Sequence, residues 1–323
     1  MTARTVVVTG ATGFIGRHVA SRFAEAGATV VGLARREQPG PWHRFVAADV
    51  SSLEPQQLGP DEIDVIVHCA GLAHDMSGGR DTWDDLSRVN VDGAAHVAAV
   101  ALARGCRELV HVSSVKAMGE STTRPLDEQD ACAPSTPYGV SKRDGEEAIA
   151  ALADGTGMKV AVLRPNPVYG PGGPGNVARL VEMASKSISL RPPRHGGART
   201  MVHVDDVASL AVAVADAGAE GPFIADDGLV YRARDIFDAA RARAGHRSFP
   251  VTIPRTALRL AAAGAGAVAP RGIRIAVAVE RDVGRLLSDA VYVGRRARDE
   301  LGHAPVQTVW TALDAMVGRG PQP

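Results

Sequence analysis

Three glycines at intervals of three, Gly10, Gly13 and Gly16, stand between the β-branched run Val6-Val7-Val8 and a helical pattern. Ile15, Val19, Phe23 and Ala26 fall on one helical face, the pattern stops at Gly27, and a second apolar run occupies Thr29–Leu33. Strand, glycine turn, helix and second strand predict a parallel βαβ unit. Residues without Cβ permit a tight turn, close approach of backbone to a pyrophosphate, and tight packing of helix on strand. The helix start then offers unbonded N–H groups and a partial positive charge to phosphates. A packing turn without ligand is the competing reading.

The alternation continues along the chain. Phe45–Ala48, Asp64–His68, Glu108–Val112 and Lys159–Leu163 read as further strands; about Trp83–Arg104 and Tyr138–Ala153 read as helices. Six buried strands interleaved with helices predict an α/β fold, a doubly wound parallel sheet. At 323 residues the chain is long enough for a companion unit. The character changes after Arg164, where a Pro/Gly loop runs to Gly175, so residues 1–165 are expected to form the dinucleotide-binding domain. Residues 166–323 form a smaller C-terminal lobe, with 199–226 returning to the first domain and helices near Ala233–Ala244 and Val306–Val317.

Thirty-six basic residues balance thirty-six acidic ones, which argues against nucleic acid or an anionic membrane as partner. Cys69, Cys106 and Cys132 are too scattered for a disulfide framework or zinc cluster and read as free thiols in a reducing cytosol. No signal peptide is apparent, and the longest apolar stretch, Leu260 to Pro270, is short of the ~20 residues a membrane span needs. A soluble, cytoplasmic protein is expected.

An NAD-binding chain usually places an acid at the end of the second strand, to accept from the ribose 2′-OH. Ala34 stands there, followed by Arg35 and Arg36. A guanidinium can hold a 2′-phosphate by charge-assisted bonds, which favours NADP, with NAD as the alternative. Solvated arginines, or Arg35 stacked on adenine, would look the same.

Tyr138-Gly139-Val140-Ser141-Lys142 carries the chemistry. The chain has only four tyrosines and four lysines. Positions i and i+4 share one helical face, so Lys142 can lower the pKa of the Tyr138 phenol and hold the nicotinamide ribose. A tuned phenol can exchange a proton with a carbinol or carbonyl oxygen while hydride moves on the neighbouring carbon. Ser113-Ser114 closes the fifth strand at the carboxyl edge of the sheet, and Ser114 is the better placed to bond the reacting oxygen; Ser113 reads as a backbone cap. The bland reading of Tyr138 and Lys142 is a surface pair.

Together, Thr9–Gly16, His68–Gly71, Asn90-Val91-Asp92-Gly93, Ser113–Gly119, Tyr138–Lys142, Arg164–Pro171 and Arg199–Asp206 resemble the extended short-chain dehydrogenase/reductase family, the NAD-dependent epimerases/dehydratases. The resemblance implies a Rossmann sheet and nucleotide-sugar chemistry, with the sugar between the lobes. It implies a cofactor line of Gly10, Thr12, Gly13, Phe14, Ile15, Gly16, Arg35, Asp49, Val50, Ala70, Gly71, Asn90, Tyr138, Lys142 and Asn166, with Asp49 accepting from the adenine amino group. It further implies a substrate line of His74, Ser114, Lys116, Tyr138, Asn176 and Arg199, the last two facing the sugar-nucleotide phosphates. An edge-strand pair of Arg199 with Asp205 is the alternative for that arginine, and a structural lysine the alternative for Lys116. Pro167 stands where the family has Asn, with Asn166 beside it. Val115 and Lys116 replace the Asp and Glu of the 4,6-dehydratases, which disfavours dehydration.

The leading expectation is an NADP(H)-preferring reductase of the C4 ketone of a UDP- or dTDP-linked 4-keto-6-deoxy sugar. A UDP-sugar 4-epimerase with tightly bound NAD is the alternative. A silent dinucleotide sensor would usually lack the Tyr or the Lys, and reduction of another small ketone by the same fold stays open. The family's pairing of two long helices implies a homodimer through Trp83–Arg104 and Tyr138–Ala153.

Overall fold

The structure, a computed structural model, describes residues 4–72, 82–186, 189–193, 197–245, 251–252 and 288–318. His74 and Leu260 to Pro270 lie outside the described residues. β1 (Thr5–Thr9), β2 (Thr29–Ala34), β3 (Arg44–Ala47), β4 (Val65–His68), β5 (Glu108–Val112) and β6 (Lys159–Pro165) match the expected strands to within two residues. A seventh strand, Gly221–Ala225, pairs with β6, so the sheet runs Gly221–Ala225, β6, β5, β4, β1, β2, β3 with every pairing parallel.

Strand alternation builds two cores. Val6 and Val8 of β1 face α1 (Phe14–Glu25) and the helix Val204–Ala217, whereas Val7 faces the helical stretch 83–103 and the helix Pro137–Ala153. All three valines are fully buried, as strands covered on both faces should be. A third cluster of Tyr169, Val177, Val181, Tyr231, Phe237 and Leu313 forms apart from the sheet, around the helices Asn176–Ala184, Ala233–Arg243 and Val309–Met316. Short strand pairs, Val168–Tyr169 with Val202–His203 and Ala198–Thr200 with Val230–Arg232, order the later segments that read as irregular in sequence.

The strand order reverses at β1: the chain leaves it toward β2 and β3, then returns to its other side with β4. Ligands of open α/β sheets bind at the carboxyl ends of the strands flanking such a reversal. The glycine turn after β1 and Cys69-Ala70-Gly71 after β4 both lie there. Among the described residues, no helix is long and apolar enough to cross a membrane.

Candidate active site

Gly10 takes φ +64°, and a Cβ on it would stand 2.7 Å from the Ala70 nitrogen; a Cβ on Gly16 would stand 2.2 Å from the Gly10 carbonyl oxygen. Only glycine serves at either position. The N–H of Gly13 donates to the Gly10 carbonyl at 2.9 Å, closing the turn. α1 then starts at Phe14 with no side-chain cap and no acidic residue in its first turn. Its N–H groups and dipole are thereby left for an anion. Thr12 lies half-buried on the turn, Ile15 packs into the core beneath it, and Val50 is buried against Gly93. This cradle fits a dinucleotide pyrophosphate.

Behind the turn the chain from β4 meets two helices. Residues 87–92 widen into a π-helical turn, a feature common at functional sites, and it carries the buried Asn90. The Asn90 side chain accepts from the Leu72 N–H at 2.8 Å and donates to the Leu72 carbonyl and the Ser141 hydroxyl. A Cβ on Gly71 would lie 3.1 Å from Asn90 Oδ1 and 3.7 Å from Lys142 Nζ, so these three residues converge on one spot. The two helices touch here: a Cβ on Gly145 would stand 2.2 Å from the Asn90 carbonyl oxygen.

Helix Pro137–Ala153 begins with Pro137 and is capped by Thr136, whose hydroxyl accepts from the Gly139 N–H at 3.2 Å. Tyr138 is thereby set in the first turn, with its phenol near enough to the Ser114 hydroxyl to feel it. Ser114 caps the short 3₁₀ turn Val115–Ala117, accepting from the Lys116 N–H at 3.2 Å. Burial pushes the phenol above its ordinary range; the Ser114 hydroxyl works against this and the Glu120 charge adds to it. Lys142, one turn on, donates to the Val112 carbonyl at 2.9 Å, and burial pulls its ammonium down to about 8. The net shift of the phenol is upward, opposite to the lowering by Lys142 expected from the four-residue spacing.

A hydroxyl pair beside a buried lysine, next to a dinucleotide cradle, can polarise a carbonyl oxygen and pass it a proton. The model of the NAD dependent epimerase/dehydratase family matches residues 6–224. The chain belongs to this family. It is 32% identical over 192 residues to a UDP-glucose 4-epimerase of Vibrio cholerae, covering 58% of each chain. It is 34% identical over 193 residues to a dTDP-6-deoxy-L-talose 4-dehydrogenase (NAD(P)(+)) of Kitasatospora kifunensis, covering 58% of this chain and 59% of that protein. These alignments thus span less than two thirds of the relatives' own length. MoeE5 in complex with UDP-glucose and NAD superposes with a TM-score of 0.76 over 98% of both chains at 22% identity, a likeness of fold.

Within this family frame, several expected contacts are placed differently. The Asn166 amide is turned inward: it donates to the carbonyls of Ala225 and Tyr292 and accepts from the Thr200 hydroxyl, so its side chain serves the junction with strand Gly221–Ala225 and not a cofactor. Ser113 is no backbone cap; its hydroxyl donates to buried Glu146 at 2.5 Å. Asp49 Oδ1 accepts from the Ser51 N–H and hydroxyl, and these bonds, followed by the charges of Arg35 and Arg88, hold its carboxyl below the usual range. Arg35 is exposed just beyond β2. The Phe14 ring packs toward the Pro/Gly loop, where a Cβ on Gly173 would sit 2.5 Å from it, while its N–H remains the first of α1. Asn176 is exposed at the first position of helix Asn176–Ala184. Arg199 pairs by backbone with Tyr231 and donates to the Ser288 carbonyl, while Asp205 takes His18 and His203 as partners. Lys116 is paired with Glu120. Glu120 and Glu146, which no local spacing singles out, are the charged groups missed in the sequence.

Proposed function

We propose that the protein reduces the C4 ketone of a UDP- or dTDP-linked 4-keto-6-deoxy sugar, with Tyr138 as proton donor and NADPH as preferred cofactor. The observation that carries the chemistry is the placing of Tyr138 in the first turn of helix Pro137–Ala153, with Ser114 beside it and Lys142 buried one turn on. Ser114 and Tyr138 bond the carbonyl oxygen from one side, and Tyr138 gives it the proton. A bound nicotinamide supplies the hydride. Lys142 and Asn90, converging on Gly71, hold the ribose. Residues 1–165 with 199–226 form the dinucleotide-binding unit, and residues 166–198 with the chain after 226 take the nucleotide sugar. Pairing of two copies through 83–103 and 137–153, in a reducing cytosol that suits the free thiols of Cys69, Cys106 and Cys132, completes the reading.

Ala34-Arg35 favours a reductase drawing on exchangeable NADPH. The second reading, a UDP-sugar 4-epimerase holding NAD, is favoured by the similarity to the Vibrio cholerae enzyme. Denaturing the purified protein and identifying any released dinucleotide separates the two. The reductase predicts an emptied or exchanging site that binds NADPH more tightly than NADH; stoichiometric, non-exchanging NAD would make the protein an epimerase. A second prediction concerns Arg35→Ala. Loss of a charge-assisted bond should weaken NADPH binding about ten- to hundred-fold and leave NADH nearly unchanged, as read by fluorescence titration. Equal losses for both cofactors would remove Arg35 from 2′-phosphate recognition.

A further inference from the structure

The crossover from β2 to β3, residues 35–43, is folded around one side chain. Trp42 lies against Gly32 of β2, where a Cβ would stand 2.8 Å from its ring, and against Gly40, where a Cβ would stand 2.1 Å from it. A glycine inside a strand weakens the strand and marks a close approach; here the indole takes the space of both missing side chains. Phe45 meets Trp42 at 5.3 Å between centroids, and the indole packs on the core that α1 shares with β1 and β2. Arg17, in the first turn of α1, completes the grip. Its guanidinium lies over the Trp42 ring, 5.6 Å from the centroid, and its Nη2 donates to the Pro39 carbonyl at 2.9 Å. Pro39 and Pro41 fix φ on either side of Gly40, so the crossover has little freedom left to lose when a ligand binds.

The clamp borders the end of β2. Side chains alternate across a strand, so Ala34 projects on the same face as Gly32, the face that carries Trp42 and α1. Position 34 is where an acid meeting the ribose 2′-OH is expected; this chain has a methyl group there and a guanidinium from α1 on the same side. Among the described residues the side-chain partners of Arg17 are Pro39 and Trp42, and neither is an anion. These contacts hold the guanidinium by one end and one face, which leaves further donors for a phosphate. We propose that Arg17 is a second specificity-determining residue for the 2′-phosphate of NADPH, joining Arg35 at the end of β2, and that Trp42 is the positioning residue that holds it in place beforehand. The inference rests on the proposed preference for NADPH and extends it to a clamp that joins α1 to the crossover. A guanidinium fixed before binding has less entropy to lose when the ligand arrives.

Adenosine 2′,5′-bisphosphate and 5′-AMP differ only by the phosphate in question, and they test this without turnover. Binding of each to the full-length protein and its variants is measured by calorimetry. The parent protein is expected to hold the bisphosphate more tightly than 5′-AMP. Arg17→Met should weaken the bisphosphate about tenfold and 5′-AMP by less than about twofold, the loss of one charge-assisted contact. Trp42→Leu should weaken the bisphosphate by a similar factor, and Trp42→Phe should restore most of it. Adding Trp42→Leu to Arg17→Met should change little further, because the ring acts through the guanidinium. Undiminished discrimination in Arg17→Met, equal losses for both nucleotides included, overturns the proposal and leaves the NADPH reading standing. A parent protein without preference for the bisphosphate overturns both. Equal losses for both nucleotides in Trp42→Leu, or full additivity with Arg17→Met, would make the indole a packing residue and end its positioning role. If Trp42→Leu does not fold, Gly40→Ala takes its place, since the added Cβ would displace the indole. The same selective loss is then expected, and an unmoved ratio overturns the role of Trp42.

Discussion

Tyr138→Phe is expected to lower reductase turnover by at least ~10²-fold, the typical worth of a positioned general acid, while NADPH binding stays within about twofold. The substitution removes one oxygen and leaves the ring. The helix cap by Thr136 and the Lys142 bond to Val112 do not depend on that oxygen. What is lost is the proton and the hydroxyl that lies beside Ser114. Steady-state kinetics with a 4-keto sugar nucleotide, paired with cofactor titration, check both halves. Near-normal turnover would remove Tyr138 from the chemistry, and a parallel loss of cofactor binding would make it a binding residue.

The pH dependence follows from the same environment. Burial raises the phenol, Glu120 raises it further, and Ser114 opposes both. The group is therefore protonated at neutral pH, the form a proton donor needs. Reduction should hold steady at neutral pH and fall as pH rises through the phenol's pKa. Oxidation of the corresponding alcohol needs the phenolate and should rise over the same interval. Lys142, pulled down to about 8 by burial, loses its charge at a lower pH, before the phenol does. An effect of the lysine on ribose binding would appear in KM for cofactor, separate from the turnover limb.

The sheet was legible because its strands are β-branched runs broken by Gly, Asp or Ser, and because β1 is valine on both faces. The seventh strand was not, since it opens Gly221-Pro222; proline lacks the donor a central strand requires and is tolerated at this edge position. The π-helical turn at 87–92 was hidden as well, because one widened turn barely disturbs a 3.6-residue pattern. At the site, Tyr138 and Lys142 are four residues apart and announce themselves. Glu146 does not: Ser113 lies 33 residues from it and Arg164 18, so only the packing of β5, β6 and the helix brings them together. Asn166 was misread for the same reason in reverse. Its motif position suggested a ligand, whereas its amide is needed where the chain crosses between β6, Thr200 and Tyr292.

Glu146→Leu is expected to destabilise the fold by about 3–5 kcal/mol, the cost of leaving a buried charge without its partner. Arg164 and Glu146 are each 4% exposed, and Arg164 donates from Nε to Oε1 at 3.0 Å and from Nη2 to Oε2 at 2.6 Å. Ser113 adds its hydroxyl to Oε1, and Arg143 reaches Oε2 from the more exposed side at 3.2 Å. With the carboxylate gone, the Arg164 guanidinium stays buried in a pocket shaped for ion pairing. Urea unfolding should show a lower midpoint at an unchanged slope. Replacing both partners in Glu146→Leu/Arg164→Met should recover most of the loss, since a well-packed apolar pair does as well as a buried ion pair or better. A single variant of normal stability would show that water reaches and solvates Arg164. The pair also bears on the chemistry, because Glu146 raises the pKa of Lys142 one helical turn above it. In the double variant, stable but lacking this carboxylate, Lys142 should deprotonate below about 8. Its hold on the ribose should then weaken at a lower pH than in the parent protein, a shift that cofactor titration across pH would detect.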